Sequence, residues 1–292
     1  MRTFDSISAL RTAVRSARED RRTIGFVPTM GALHAGHVAL LQRARTECDY
    51  VVASVFVNPT QFGPGEDYER YPRDLRADSR IAQAAGVDAL FAPTAHEMYP
   101  GGPAVTVDVP DLAARWEGPV RPGHFRGVAT ICTKLFNIVQ PDRAYFGQKD
   151  YQQLKVIQRL VADLFLPLVV VPVATVREED GLALSSRNRY LTPEERTAAT
   201  VLYAALSAVL EMFRAGERDA GALTSALRDR LATEPLARVD YAVIADAETL
   251  EPVGEAVADR AVALVAARFG DTRLIDNMVL DLGASLRTAT NS

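Results

Sequence analysis

Apolar positions along the chain change period in a regular way, and that change predicts the elements. Thr23-Ile24-Gly25-Phe26-Val27-Pro28 and Tyr50-Val51-Val52-Ala53-Ser54-Val55-Phe56-Val57 are short, nearly unbroken apolar runs, the pattern of strands buried on both faces of a parallel sheet. Val87 to Phe91, Arg143 to Phe146 and the β-branched run Pro167 to Val176 read as further strands. Between them lie helix-like stretches: Val38 to Ala44, Arg73 to Ala85 stopped by Gly86, Arg126 to Val139 with Val128, Ile131, Leu135 and Ile138 on one face, and Tyr151 to Leu164. Met1 to Asp20, with Phe4, Ile7, Leu10 and Val14 apolar, reads as an ordinary first helix; Asp5, Glu19 and Asp20 speak against an Arg-rich transit peptide. Strands alternating with helices predict a right-handed, Rossmann-like doubly wound parallel sheet with ligands at the carboxyl ends of its strands.

The pattern changes after Val176. A polar loop, Arg177 to Tyr190, leads to Thr192-Pro193-Glu194-Glu195, a capping box with proline at the first helical position. A helix is expected from there to about Ala215, before Gly216, and a second to about Thr233. Val239 to Ala245, Ala261 to Phe269 and Thr272 to Leu280 then read as consecutive strands. Two domains follow: residues 1–176, the α/β nucleotide-binding part, and residues 177–292, a smaller α+β lid domain with an antiparallel sheet.

Composition narrows the function classes. The chain has 292 residues, 48% hydrophobic and 24% charged, and a net charge of −4, which disfavours a sequence-independent nucleic-acid binder and suits a small-molecule substrate. Cys48 and Cys132 stand apart in apolar surroundings and read as buried thiols of a reducing compartment, hence a cytoplasmic protein. No run of about 18 apolar residues occurs, so no membrane span is expected.

The chemistry concentrates after the predicted strands. Met30-Gly31-Ala32-Leu33-His34-Ala35-Gly36-His37 carries a glycine turn from a strand into a helix, where unpaired backbone N–H groups and two imidazoles could meet phosphate oxygens. Histidines three apart could also be a metal pair or incidental polar residues, but a helical zinc pair favours a spacing of four with a third ligand, and only His96 and His124 remain. Gly147-Gln148-Lys149-Asp150 also follows a strand: Lys149 could place a cation on a phosphate and Asp150 could accept from ribose hydroxyls, unless the two are a solvated pair at a helix start. Ser185-Ser186-Arg187-Asn188 offers two hydroxyls and a guanidinium as a mobile phosphate clamp, or a hinge of turn formers. Asn58 and Gln61, in Asn58-Pro59-Thr60-Gln61-Phe62-Gly63, and Gln153 have amides suited to a substrate bearing hydroxyls and a carboxylate. His124 is a candidate for the same pocket or a structural loop histidine, and Glu178, Glu179 and Asp180 read as a solvated acidic turn.

Together these segments resemble the pantoate-beta-alanine ligase family over essentially the whole chain. The resemblance rests on Pro28 to His37, Phe56 to Phe62, Phe146 to Gln153 and Leu184 to Asn188, in the family's order and approximate spacing. It implies ATP-dependent joining of (R)-pantoate to beta-alanine through a pantoyl adenylate, with no protein nucleophile. It implies that Met30 to His37 cradle ATP, His37 donating to the phosphates with help from His34; that Gly147 to Asp150 bind ribose and phosphate; and that Val176, Leu184, Ser185, Ser186 and Arg187 frame adenine and phosphates. Gln61 and Gln153 would hold pantoate, Gln61 lying also near beta-alanine. The family further implies magnesium held mainly by the triphosphate, with no ligand assigned from the protein, and a homodimer through the first domain. Thr60 and Leu184 stand where many relatives have methionine, a change that bears on pocket shape. A nucleotidyltransferase would share the histidine motif but has no evident use for Gln61 and Gln153; a catalytically silent nucleotide-binding module would have none for His37, Lys149 and Arg187 together.

Overall fold

The computed structural model describes residues 1–258 and 260–281, in two compact units divided after Val176. The first is built on a six-stranded, all-parallel sheet in the order β1-β4-β3-β2-β5-β6. Along the chain these are β1 (Arg2–Phe4), α1 (Ile7–Glu19), β2 (Ile24–Thr29), α2 (Ala35–Glu47), β3 (Tyr50–Val55), α3 (Leu75–Ala84) and β4 (Ala89–Phe91). Three single-turn helices follow, α4 (Ala95–Met98), α5 (Pro110–Ala113) and α6 (Glu117–Val120). Then come α7 (His124–Val139), β5 (Arg143–Gly147), α8 (Tyr151–Asp163) and β6 (Val169–Val173). The doubly wound sheet expected from the apolar runs is present.

Strand alternation sends neighbouring residues to opposite faces. Val27 joins Leu40, Leu41, Ala44, Ala82 and Tyr145 in a core under α2 and α3, whereas Phe26 meets Phe136 of α7 edge-on, the ring centroids 6.4 Å apart. Gly25 lets Cys48 pack closely: a Cβ there would lie 3.0 Å from both Cβ and Sγ of Cys48, tighter than an ordinary van der Waals contact.

The boundaries correct several expectations. Arg2–Phe4 is a strand, not the start of the first helix, because Phe4 completes the sheet beside Phe91 of β4; the helix starts only after Ser6, whose hydroxyl accepts from Ala9 N. The run after Tyr50 stops pairing at Val55, two residues early, since Asn58 and Pro59 already turn into the 3-10 turn Pro59–Gln61. The Pro167 to Val176 run pairs only over Val169–Val173, as an edge strand in which Pro172 is tolerated.

The second unit packs α9 (Pro193–Ala198), α10 (Val201–Arg214) and α11 (Ala220–Ala232) with an antiparallel sheet, β7 (Arg238–Asp246), β8 (Arg260–Phe269) and β9 (Thr272–Asp281). The capping box forms as the sequence implies: Thr192 N donates to Glu195 Oε2 at 3.0 Å and Glu195 N to Thr192 Oγ1 at 3.2 Å. The single helix expected to about Ala215 is interrupted by a turn at Ala199 and Thr200. Across that turn, Pro193–Arg214 is 22 residues long with a mean hydropathy of 1.2, the one stretch among the described residues whose length and composition would allow it to cross a membrane. Its apolar side, Leu202, Leu206, Val209 and Phe213, is core packed with Leu223, Leu227, Val265 and Leu274.

Leu206 is fully buried in that core. Leu206→Ala should cost ~2–5 kcal/mol, the range for an aliphatic side chain deleted from a closed interior. Urea unfolding measures it, and a loss below about 1 kcal/mol would show that the core repacks.

Candidate active site

β2 is flanked by β3 on one side and β5 on the other, so the chain winds outward from β2 to β4 and then returns to lie beside β2 again. That reversal places two segments distant in sequence at the same sheet end, where an open α/β sheet has its crevice. From β2 comes Met30–His37; from β5 comes the 3-10 turn Gln148–Asp150. The two meet electrostatically at His37, whose titration is raised by Asp150 and lowered by Lys149.

The first segment is held from behind. Gly31 and Ala32 both have positive φ, +83° and +52°, and a Cβ on Gly31 would come within 2.7 Å of Asp78 Oδ2. Asp78, buried on α3, accepts from Ala32 N at 3.1 Å and Leu33 N at 2.8 Å. Thr29 Oγ1 accepts from Gly31 N at 3.1 Å and donates to Ser54 O at 2.6 Å. Asp78 carries no motif signal, because its partners lie 45 and 46 residues away.

His34 caps α2. Its Nδ1 accepts from Gly36 N at 3.1 Å, while His34 N donates to His37 Nδ1 at 3.3 Å, and the rings lie tilted by 51° with centroids 4.2 Å apart. The expected array of unpaired amides is therefore largely absent: the N–H groups of Gly31, Ala32, Leu33, His34 and Gly36 all donate within the protein. What the loop presents instead is imidazole. With both Nδ1 atoms accepting, the proton of each neutral ring sits on Nε2, a donor. Burial, followed by the neighbouring His34, lowers the His37 pKa to about 3. His37 is thus a neutral hydrogen-bond donor, not an acid.

In the second segment Lys149 Nζ lies 3.7 Å from Asp150 Oδ1, and Asp150 does not cap α8 through its side chain. Gln153, one residue past the buried Gln152, is half-buried. Gln152 is a residue the sequence did not single out: its Oε1 accepts from Glu117 N at 3.1 Å and its Nε2 donates to Leu112 O and Arg115 O at 2.7 Å, tying the 112–117 segment to the start of α8.

The amide loop after β3 is also fixed internally. Asn58 Nδ2 donates to Gln61 Oε1 and to Gly127 O, both at 3.2 Å, and its Oδ1 accepts from Tyr99 Oη at 2.8 Å and Thr60 Oγ1 at 3.1 Å. Asn58 thus ties the Gln61 turn to Gly127 and Tyr99, both atoms of its amide engaged within the protein. The Gln61 Nε2 donates to the Met30 thioether at 2.8 Å, a weak acceptor that a substrate oxygen can displace. His124 donates from Nδ1 to Gln61 O at 2.8 Å and accepts from Arg121 at Nε2, 3.0 Å away. Both its nitrogens are used in holding the Gln61 turn, and α7 can approach that turn because Gly127 has no Cβ, which would stand 2.3 Å from Thr60 O.

Ser185, Ser186 and Arg187 belong to the second unit, half-buried at the start of a 3-10 turn (Ser186–Tyr190) whose first amide bond runs from Arg187 N to Ser185 Oγ at 3.2 Å. Leu184 is half-buried there, and Val176 ends the first unit. The acidic turn is not simply solvated: Glu178 and Asp180 pair with Arg196 at 2.6 Å and 2.8 Å. Cys48 and Cys132 are buried free thiols. Among the described residues no group of three or more His, Cys, Asp or Glu is gathered to hold a metal ion.

A parallel sheet with paired imidazoles and a lysine at its switch point defines a nucleotide-binding α/β protein. The family model for pantoate-beta-alanine ligase matches residues 2–279. The chain is 55% identical to pantothenate synthetase of Pelotomaculum thermopropionicum, covering 94% of this chain and 98% of that one, and 56% identical to that of Roseiflexus sp., covering 96% and 100%. The crystal structure of pantothenate synthetase from Thermus thermophilus superposes with a TM-score of 0.91 at 55% identity, over 96% of this chain and all of that one. The Francisella tularensis pantoate-beta-alanine ligase, complexed with beta-gamma ATP and beta-alanine, gives 0.76 at 35% identity, over 96% and 97%. This chain belongs to the pantoate-beta-alanine ligase family.

His124 supplies a pH test of the site's scaffold. Burial and Arg121 lower its pKa to about 4, against 6.5 when unfolded, so the unfolded chain takes up the proton first. Its contribution to stability is complete above pH 6.5 and is lost as pH falls toward 4, by about 1.4 kcal/mol per pH unit. Proton NMR should show no titration of the His124 and His37 rings between pH 5 and 8; a midpoint near 6.5 for either would contradict the neutral, hydrogen-bonded assignment.

Proposed function

We propose that this chain condenses (R)-pantoate with beta-alanine, converting ATP to AMP and pyrophosphate through a bound pantoyl adenylate. The observation that carries this reading is the meeting of His34 and His37 with Lys149 and Asp150 at the β2/β5 reversal, beside a turn that presents the Gln61 amide. A carboxylate is a poor electrophile. Attack of a pantoate carboxylate oxygen on the α-phosphorus releases pyrophosphate and leaves an acyl adenylate; attack of the beta-alanine amine on that carbonyl then releases AMP. Neither step needs a protein nucleophile, in keeping with two thiols that are buried and whose pKa burial raises.

In this reading Met30 to His37 take the ATP phosphates, with the Nε2–H donors of His34 and His37 and the Lys149 ammonium stabilising charge as the leaving group departs. Gly147 to Asp150 take ribose and phosphate. Gln61 and Gln153 hold the pantoate hydroxyls and carboxylate, Gln61 serves beta-alanine as well, and Asn58 holds Gln61. Val176, Leu184, Ser185, Ser186 and Arg187 complete the nucleotide's surroundings. Magnesium, where bound, would be held mainly by the triphosphate and would draw negative charge from the reacting phosphorus. A homodimer through the first unit and a cytoplasmic setting complete the proposal.

Pantoate alone should support exchange of labelled pyrophosphate into ATP, because adenylation precedes amine attack. His37→Ala and Lys149→Ala should each reduce that exchange on the order of 10²-fold, as expected when a charge-stabilising donor is lost. An exchange that requires beta-alanine sinks the order of steps, and near-normal exchange in both variants removes their phosphate roles.

Gln61→Ala should raise the apparent KM for pantoate while sparing that for ATP, since substrate oxygens lose a buried amide partner. An effect confined to ATP would reassign the loop to the nucleotide.

A further inference from the structure

The loop from Arg177 to Tyr190 is not an open hinge. Arg177 makes a bidentate pair with Asp276 of β9, at 2.6 Å and 2.9 Å, although the two lie 99 residues apart. The Asp276 side chain is 1% exposed and that of Arg177 17%. A third bond from the same guanidinium reaches Gly181 O at 3.0 Å, and its plane lies over the Tyr203 ring, 4.5 Å from the centroid. Gly181, at φ +90°, is closed against that ring as well: a Cβ would stand 1.9 Å from Tyr203 Cδ1. Behind this anchor the chain doubles back, with Arg177 bridging Ala183 and Glu178 N donating to Leu182 O at 2.9 Å. Asn188 Nδ2 then bonds Ala183 O at 3.1 Å and Glu178 Oε1 at 3.3 Å, so the Ser185–Arg187 segment is strung between two fixed points.

We propose that Arg177 is a positioning residue for ATP use: locked on Asp276, Tyr203 and the Gly181 carbonyl, it sets the backbone from which Ser185, Ser186 and Arg187 are presented. The inference rests on the reading that those three residues serve the triphosphate. A buried ion pair contributes little net stability, because desolvation offsets its attraction, yet it fixes one geometry among several. Arginine suits this role because one planar fork satisfies a carboxylate, a carbonyl and an aromatic face together, which lysine cannot do.

Three variants of the full chain test the proposal. Arg187→Ala checks the underlying reading through pantoate-dependent pyrophosphate exchange. The double variant Arg177→Met, Asp276→Leu removes the pair without leaving a lone buried charge, and Asp276→Asn keeps the shape while removing the charge. With Arg187→Ala impaired, both anchor variants should raise the KM for ATP about tenfold or more, leave the KM for pantoate within about twofold, and speed amide exchange over residues 178–188, the double variant retaining the parent melting temperature and Asp276→Asn, which strips the buried guanidinium of its carboxylate, melting lower. If either anchor variant that folds keeps the parent KM for ATP, the positioning role is overturned even though Arg187 matters. Full exchange activity in Arg187→Ala overturns the reading beneath it. Equal losses toward ATP and pantoate with a lowered melting temperature would make Arg177 merely structural.

Discussion

The pairing of β2 with β5 is the constraint on which the first unit's chemistry depends. The contact is short, Gly25 against Arg143 and Phe26 against Ala144, and it is clamped at its base by Asp142, whose Oδ2 accepts from Ile24 N at 2.6 Å across 118 residues of chain. One more pair of residues on either strand would not change which loops emerge there; a slip by one residue would. Because side chains alternate, a slipped register would turn Phe26 from the α7 face to the α2 face and move the lysine-bearing turn away from the histidines.

Much of this was legible in the sequence, because continuous apolar runs and the turns after them are local signals. Met30 to His37, the turn at Gly147 to Asp150 and the Thr192 capping box each lie within about ten residues, the scale on which composition and spacing speak. What was not legible depends on contacts between distant segments. Arg2–Phe4 reads as helix because its Arg-rich surroundings are amphipathic; it becomes a strand only because β4 offers an edge. Asp78 and Gln152 look like ordinary helix residues until the backbone groups they satisfy are brought to them. Asn58 and His124 were legible as members of the site and not as its supports, since a residue's type tells what bonds it can make, never which partner has already taken them.

The Met30–His37 loop shows the same distinction in its charges. A cradle of bare amides and an imidazolium would be the direct reading of glycine and histidine at a helix start. The structure instead consumes the amides internally, at Asp78, Thr29 and the two Nδ1 atoms, and keeps His37 neutral. Rigidity is what is gained. The positive φ of Ala32 is costly to hold, and five backbone N–H groups between Gly31 and Gly36, each bonded within the protein, hold the loop in place.

In the proposed reading this arrangement also explains how a buried carboxylate can lie directly behind the residues that take the phosphates. Asp78 would oppose a triphosphate if its charge were free to act, but it faces the dipoles of two amides, each directed at one of its oxygens. Those amides are thereby removed from the ligand's reach, and the donors left to meet it are the Nε2–H groups of His34 and His37 and the Lys149 ammonium. A buried neutral imidazole costs less to desolvate than an imidazolium, whereas a nearby anion favours the charged form. The lowered pKa of His37 therefore follows from its burial beside His34, and in the proposed reading its Nε2–H meets the phosphates as a hydrogen-bond donor, because a second proton would have to displace the His34 amide from Nδ1.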